Sequence, residues 1–396
     1  MKKLLLVTGA LLLVLFAMSA MADSWLPPQV RSYSSADGNW KLTVYPRELT
    51  SQLAYFKDKV ADKPNAGGVS GDSQRSAMGH MERLQGGRWH SVWKRPLAND
   101  VAPVAAVVSA NGVSATFDNW HSVGWGDDAV VIYAADGERV RKSGLSAFLP
   151  RHYIDALPHS VSSIHWRGEP RIDERNRQLV VPVAVPTAEG QEAHAGKVRY
   201  VDVRFGLSDG TLVPLQGKAW ADAVASASKA DVRRRQLIEE QRKRFVSPLA
   251  APLDGDVRAW HGYLVDAYFR LDPDWNNGYP TTQVVPLPSD PKFTLLSGYL
   301  GEALSDDMNA DDAIMVASPS QEVLVQALQK QSARVKTGFL AKARVYVAAD
   351  AAHMPAIRAA LARTGARVVQ LDINAAIPQR KERLEGYQRK QKNSAD

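Results

Sequence analysis

From Trp40 to about Leu215 the apolar positions recur at every second residue, as in Trp40, Leu42, Val44 and again in Val198, Tyr200, Val201, Val203, Phe205. Period-two alternation is the mark of a strand with one covered face. The runs are punctuated by Asp37-Gly38, Gly86-Gly87, Asn111-Gly112, Asp136-Gly137 and Asp209-Gly210, where glycine supplies the positive φ that tight hairpins need. Residues 23–216 are therefore expected to form an antiparallel β-rich domain, a meander or sandwich of hairpin neighbours. Two stretches within it depart from the pattern. Lys63 to His80 has almost no bulky apolar residue and reads as a long exposed loop. Leu145 to Leu157 has helical spacing interrupted by Pro150, which predicts one or two short helical turns.

The period then changes. Trp220 to Phe245 is alanine-rich at first and strongly charged later, with Pro248 beyond its end, which predicts a helical connector over 217–247. Residues 248–300 are dense in aromatics and prolines (among them Trp260, Tyr263, Trp275, Pro286, Pro288) and are expected to wrap over a neighbouring surface. Over 301–377 the pattern is that of a small α/β domain. Ile314 to Ala317 reads as a strand, and Ser318-Pro319-Ser320-Gln321 places an N-cap serine, a proline at the first helical position and a glutamine three residues on. Arg344 to Ala349 and Arg367 to Leu371 read as strands around a helical stripe of Met354, Ile357 and Leu361, with Gly365 as its C-cap. Strand, helix and strand in so short a span is a βαβ unit with parallel strands. A charged tail, 378–396, ends the chain, and the fold class is α+β and multidomain.

Two local resemblances follow. PVAAVVSANGVSATFDN with DDAVVIYAADGERV, within 103–142, resembles a single blade of a bacterial β-propeller, without the further copies a closed propeller requires. VYVAAD, TGA and VVQLD, within 312–371, are similar to the periplasmic domain of biopolymer transport proteins of the TolR and ExbD type. Those proteins carry a membrane helix with a functional acid that nothing here matches, so the second resemblance implies a fold and no activity. The whole chain resembles an exported bacterial family, which implies no mechanism.

Lys2 and Lys3, the apolar stretch Leu4 to Met18, and small residues at Ala20 and Ala22 have the three parts of a secretory signal, with cleavage expected after Ala22. The stretch is shorter than the ~20 residues of a membrane-spanning helix, and no later run replaces it. A periplasmic or secreted location, with no transmembrane span after cleavage, is the expectation. The chain has no cysteine, which removes disulfides, thiolate metal sites and cysteine nucleophiles together. Loss of the two lysines lowers the formal charge from +7 to +5, and much of the remainder lies in Arg233–Arg244 and Arg380–Lys392, which also hold glutamates. Solvated helix faces, not nucleic-acid contacts, are expected there.

The densest polar and aromatic cluster is FDNWHSVGWGDD. One reading takes Asp118, His121 and Asp127 as an acid/base or metal set, with Trp120, Trp125 and Asp128 as binding groups. The other takes a wide hairpin loop pinned by its tryptophans, with acids bonding turn amides. LDPDWNNGYP spaces Asp272, Asp274 and Asn276 like a calcium loop, but glycine comes one place late at Gly278, Gln283 replaces the closing glutamate and Pro273 stiffens the turn. An Asx-type turn and no cofactor is the expectation this leaves, with a divalent cation held by Asp272, Asp274 and Asn276 as the alternative. His90, His165, His261 and His353 have no partner at ligand spacing. No nucleophile elbow, zinc-protease helix, phosphate-cradling loop or dinucleotide fingerprint occurs. Two function classes remain: a non-catalytic envelope protein binding a protein partner or envelope polymer, and a hydrolase of glycan or peptide polymer using the loop acids and histidine.

Overall fold

The computed structural model describes residues 26–70, 74–160, 162–188, 198–276, 278–307 and 312–393. The expected export segment, Lys2 to Ala22, lies outside the described residues. The chain divides into two compact units, Met1–Gln236 and Leu237–Asp396.

The first unit holds three antiparallel sheets among its described residues. Strands β1 (Arg31–Ser34), β2 (Trp40–Tyr45), β3 (Met78–Gln85) and β4 (Arg88–Pro96) form a meander in chain order, as do β5 (Ala105–Val108), β6 (Ser114–Phe117), β7 (Val130–Tyr133) and β8 (Arg139–Ser143). The third sheet has the order β11 (Tyr200–Gly206), β10 (Gln178–Ala184), β9 (Arg171–Asp173). The expected hairpins form, and all five turns place glycine at positive φ. Helix α1 (Gln52–Val60) follows β2, capped by the Ser51 hydroxyl accepting from the Ala54 N–H, and the short α2 (Arg151–Ala156) follows Pro150.

The middle sheet is covered on both sides. Ala106, Val108, Val131 and Tyr133 pack with Trp40, Leu42, Met81 and Trp93 of the first sheet. Ala115, Phe117, Val130 and Ile132 pack with Leu179, Val181, Val203 and Phe205 of the third. A strand buried on two faces needs no polar alternation, which is why β7 reads Val-Val-Ile-Tyr without a break. Among its described residues, the stretch Lys63 to His80 is not exposed throughout as its composition suggests. Ala66 and Ala77 are buried, and Met78 already opens β3; a Cβ at Gly67 would meet Tyr55 at 2.7 Å and one at Gly79 would meet Leu97 at 2.8 Å, so larger residues have no room at these positions.

Helix α3 (Lys218–Val246) is the expected charged helix, and the division between units falls inside it. The second unit is built on a parallel sheet in chain order, β12 (Thr281–Val284), β13 (Ala313–Ala317), β14 (Arg344–Ala348), β15 (Arg367–Leu371). Helices α5 (Phe293–Ser305), α6 (Gln321–Ser332) and α7 (Met354–Leu361) fill the crossovers. Leu300, Leu304, Leu324, Leu328, Ile357 and Leu361 pack on one sheet face with Ile314, Val316, Val345 and Val347. Helix α4 (Val257–Leu271) covers the other face with Trp260, Tyr263, Leu264 and Tyr268. A charged helix α8 (Lys381–Asn393) ends the described chain.

Two expectations are corrected here. Residues 248–300 do not wrap over a surface: they supply α4, the edge strand β12 and most of α5, so the α/β unit begins well before residue 301. Trp260, Tyr263 and Tyr268, with Leu264 and Ala267, are the apolar stripe of α4, spaced at i, i+3 and i+4. The N-cap of α6 is Ser320, accepting from the Val323 N–H at 3.3 Å, while the Ser318 hydroxyl accepts from the Ser320 N–H two residues earlier. No helix among the described residues is long and apolar enough to cross a membrane.

Candidate binding site beside Trp120

The loop joining β6 to β7 is wound tightly. Asp118 and His121 take left-handed φ of 57° and 62°, and Gly124 and Gly126 take 73° and 85°. For a non-glycine residue this region costs roughly 1 kcal/mol, so the surroundings must hold it. They do so through Asp118, which is fully buried (0% exposed). Its Oδ1 accepts from the Gly124 N–H at 2.8 Å and the Trp166 Nε1–H at 2.8 Å, and its Oδ2 accepts from Arg167 Nε at 2.9 Å. Burial pushes the Asp118 carboxyl up, against the pull of the Arg167 guanidinium and of the two N–H donors. With every oxygen engaged, this carboxylate is a peg that closes the loop.

The other loop groups diverge. His121 packs against Phe56, ring centroids 4.1 Å apart, and near Trp120 at 5.7 Å. Tyr55 and Phe56 of α1 complete the aromatic cluster, at 5.3 and 6.1 Å from Trp120, and burial pushes the Tyr55 hydroxyl up to about 12. Asp127 lies on the outside, 79% exposed, paired with Lys142 at 2.7 Å, whose hydrogen bond holds its carboxyl below the usual range. Trp125 is 45% exposed, edge-on to His159. Asp128 is also perturbed: burial, reinforced by the charges of Asp127 and Asp118, pushes it up to about 6. The structure thus turns Asp118 inward, Asp127 outward and His121 into an aromatic cage.

What the loop does present is Trp120. Its Nε1–H donates to the Leu26 carbonyl at 2.9 Å, pinning the start of the described chain, and its ring forms one wall of a cavity of about 260 Å³. Leu26, Pro28, Arg31, Tyr33 and Val104 line the rest. A mainly apolar lining that includes a guanidinium and a phenol suits part of a larger ligand, an apolar or aromatic group bearing a hydrogen-bond acceptor. Sequence reasoning placed Trp120 but missed α1 and the chain start as its partners. Ser51 ahead of an aromatic pair was the available signal for α1.

The second sequence candidate is likewise engaged internally. Arg344 donates to Asp272 through Nε at 2.8 Å and Nη2 at 3.1 Å, and to Asp274 at 2.8 Å. The Tyr346 hydroxyl donates to Asp272 at 2.9 Å, as does the Asp274 N–H at 2.8 Å. Hydrogen bonding to Asp272 raises the Arg344 guanidinium. A guanidinium therefore sits where the calcium reading placed a cation, and Asn276 is exposed outside the network. Among the described residues, no group of three or more histidines and acids could hold a metal ion.

His353 was read as isolated and is not. Its Nδ1 and the Asp350 Oδ1 are 2.7 Å apart at the carboxyl end of β14, and its Nε2 lies 3.8 Å from Glu322. The Ser320 hydroxyl donates to that glutamate at 3.0 Å. Ser320 is the N-cap of α6, Glu322 lies in its first turn and His353 is the N-cap of α7, so the chain of contacts ties two helix starts together. An acid three residues before a histidine just past a strand was the overlooked signal.

Compared with models of known protein families and with curated proteins, the chain matches none.

Proposed function

We propose that the chain is an exported envelope protein without catalytic activity of its own, and that the cavity beside Trp120 holds part of a protein partner or an envelope polymer. The observation that carries this reading is the disposition of the β6–β7 loop. Asp118, Asp127 and His121 are committed to separate structural contacts, while Trp120 lines an apolar cavity together with Arg31 and Tyr33. Aromatic and arginine side chains around an apolar centre are what interfaces favour. The export signal and the absence of cysteine agree with work outside the cytosol.

The test uses purified protein and two lining variants, Arg31→Ala and Tyr33→Ala, compared with wild type in binding to isolated wall fragments and in capture from envelope extract. Loss of a wild-type interaction in both variants, at unchanged thermal stability, supports the reading. Turnover of wall fragments or chromogenic glycosides by the wild type, abolished in His121→Ala and Asp127→Ala, would replace it with the hydrolase reading.

A further inference from the structure

Helix α5 has an outer face that its own fold leaves bare. Leu300, Ala303 and Leu304 are buried against the sheet, whereas Leu295 is 54% exposed and Tyr299 40% exposed, one turn apart. Between them lies Gly298, where an added Cβ would meet no atom within 4 Å. Two charges bracket this strip, Lys292 at the N-cap and Glu302 in the third turn. Among the described residues neither side chain makes an ion pair within the chain.

The arrangement is symmetric. Leu295 and Tyr299 lie at equal distances on either side of Ser297, and so do Lys292 and Glu302. A two-fold axis through that point reverses the helix, laying Leu295 of one copy on Tyr299 of the other and Lys292 against Glu302, twice over. Such an isologous contact is what a closed dimer requires. Gly298 lies on the flank of this strip and adds no side chain that would stand in a partner's way. A foreign partner would have to reproduce this charge order; a second copy carries it by construction.

We propose that α5 pairs antiparallel with α5 of a second copy, making the protein a homodimer through this face, independently of any ligand beside Trp120. One helix face is small compared with a stable interface, so the dimer is a weak one, formed in the micromolar to millimolar range.

Sedimentation equilibrium of the full chain over rising concentration tests it, with far-UV circular dichroism confirming that each variant is folded. Wild type should show a monomer–dimer equilibrium, and Leu295→Glu with Tyr299→Glu should remain monomeric. Lys292→Glu alone should weaken association at least about fivefold, since two ion pairs become repulsions, and Lys292→Glu with Glu302→Lys should restore it. A wild type that stays monomeric up to ~1 mM, or a charge swap that fails to restore what the single reversal removed, overturns the proposal.

Discussion

Asp118 is the residue on which the two readings of the loop diverge most sharply, and its replacement separates them. Asp118→Ala removes the carboxylate that accepts from Gly124, Trp166 and Arg167, leaving a guanidinium that is only 10% exposed without its partner. Removing one partner of a buried pair costs about 3–5 kcal/mol, and the left-handed φ of 57° is borne by aspartate and alanine alike, so it adds little to the difference. The expected loss is about 3–5 kcal/mol, a large share of a typical unit's stability. Asp118→Asn keeps a residue that tolerates the left-handed conformation and can still accept one N–H, so it should lose about half as much. Urea unfolding followed by tryptophan fluorescence is the assay. Eight of the ten tryptophans belong to the first unit, so the signal reports mainly on the unit that contains the loop, which matters because two units need not unfold together. If both variants lie within about 1 kcal/mol of wild type, the carboxylate is not the loop's anchor and the architectural account of Asp118 fails.

Asp272→Ala and Arg344→Ala should each cost about 3–5 kcal/mol in the second unit, and the double variant clearly less than their sum, with a coupling above about 2 kcal/mol in a double-mutant cycle. Additive losses would show that the pair is not coupled. Asp128 is raised by burial to about 6 in the folded chain, above the ordinary value of about 4, so it binds its proton more tightly when folded. Its contribution favours folding at low pH and is lost as pH rises from about 4 to about 6. Asp128→Asn should therefore raise the Tm near pH 7 and change it little near pH 4; an equal shift at both values would contradict the assignment. Arg270 donates to the carbonyls of Arg244, Phe245, Ser247 and Ile377 and so closes the end of α3. Arg270→Ala should speed amide exchange over the last turn of α3 while leaving β13 and β14 protected, and uniform exchange rates in the two chains would exclude that role.

Much of the fold was open to sequence reasoning because short-range chemistry decides it. The paired glycine turns, the break at Pro150 and the stripe Met354, Ile357, Leu361 need no knowledge of distant residues. What was misread depends on distant ones. The aromatics of α4 looked like a surface wrap because Trp260, Tyr263 and Tyr268 are large, and only the facing sheet shows that they are its lid. The alanines near Lys63 to His80 looked solvent-bound because small residues bury little area, yet close packing selects for small size. At the site, Trp120 was visible as a residue but not as a wall, since Leu26 and Tyr33 come from far along the chain. The pairing of His353 with Asp350 was within reach; a search limited to metal-ligand spacings passed over it.

The middle sheet of the first unit has no wettable side, and that makes the unit indivisible. Cutting away the first hairpins would bare Val131 and Tyr133; cutting away the last strands would bare Phe117 and Ile132. A fragment ending near residue 100 or beginning near residue 100 should precipitate, not fold, and any swap of this unit between relatives would have to move all three slabs of the laminate together.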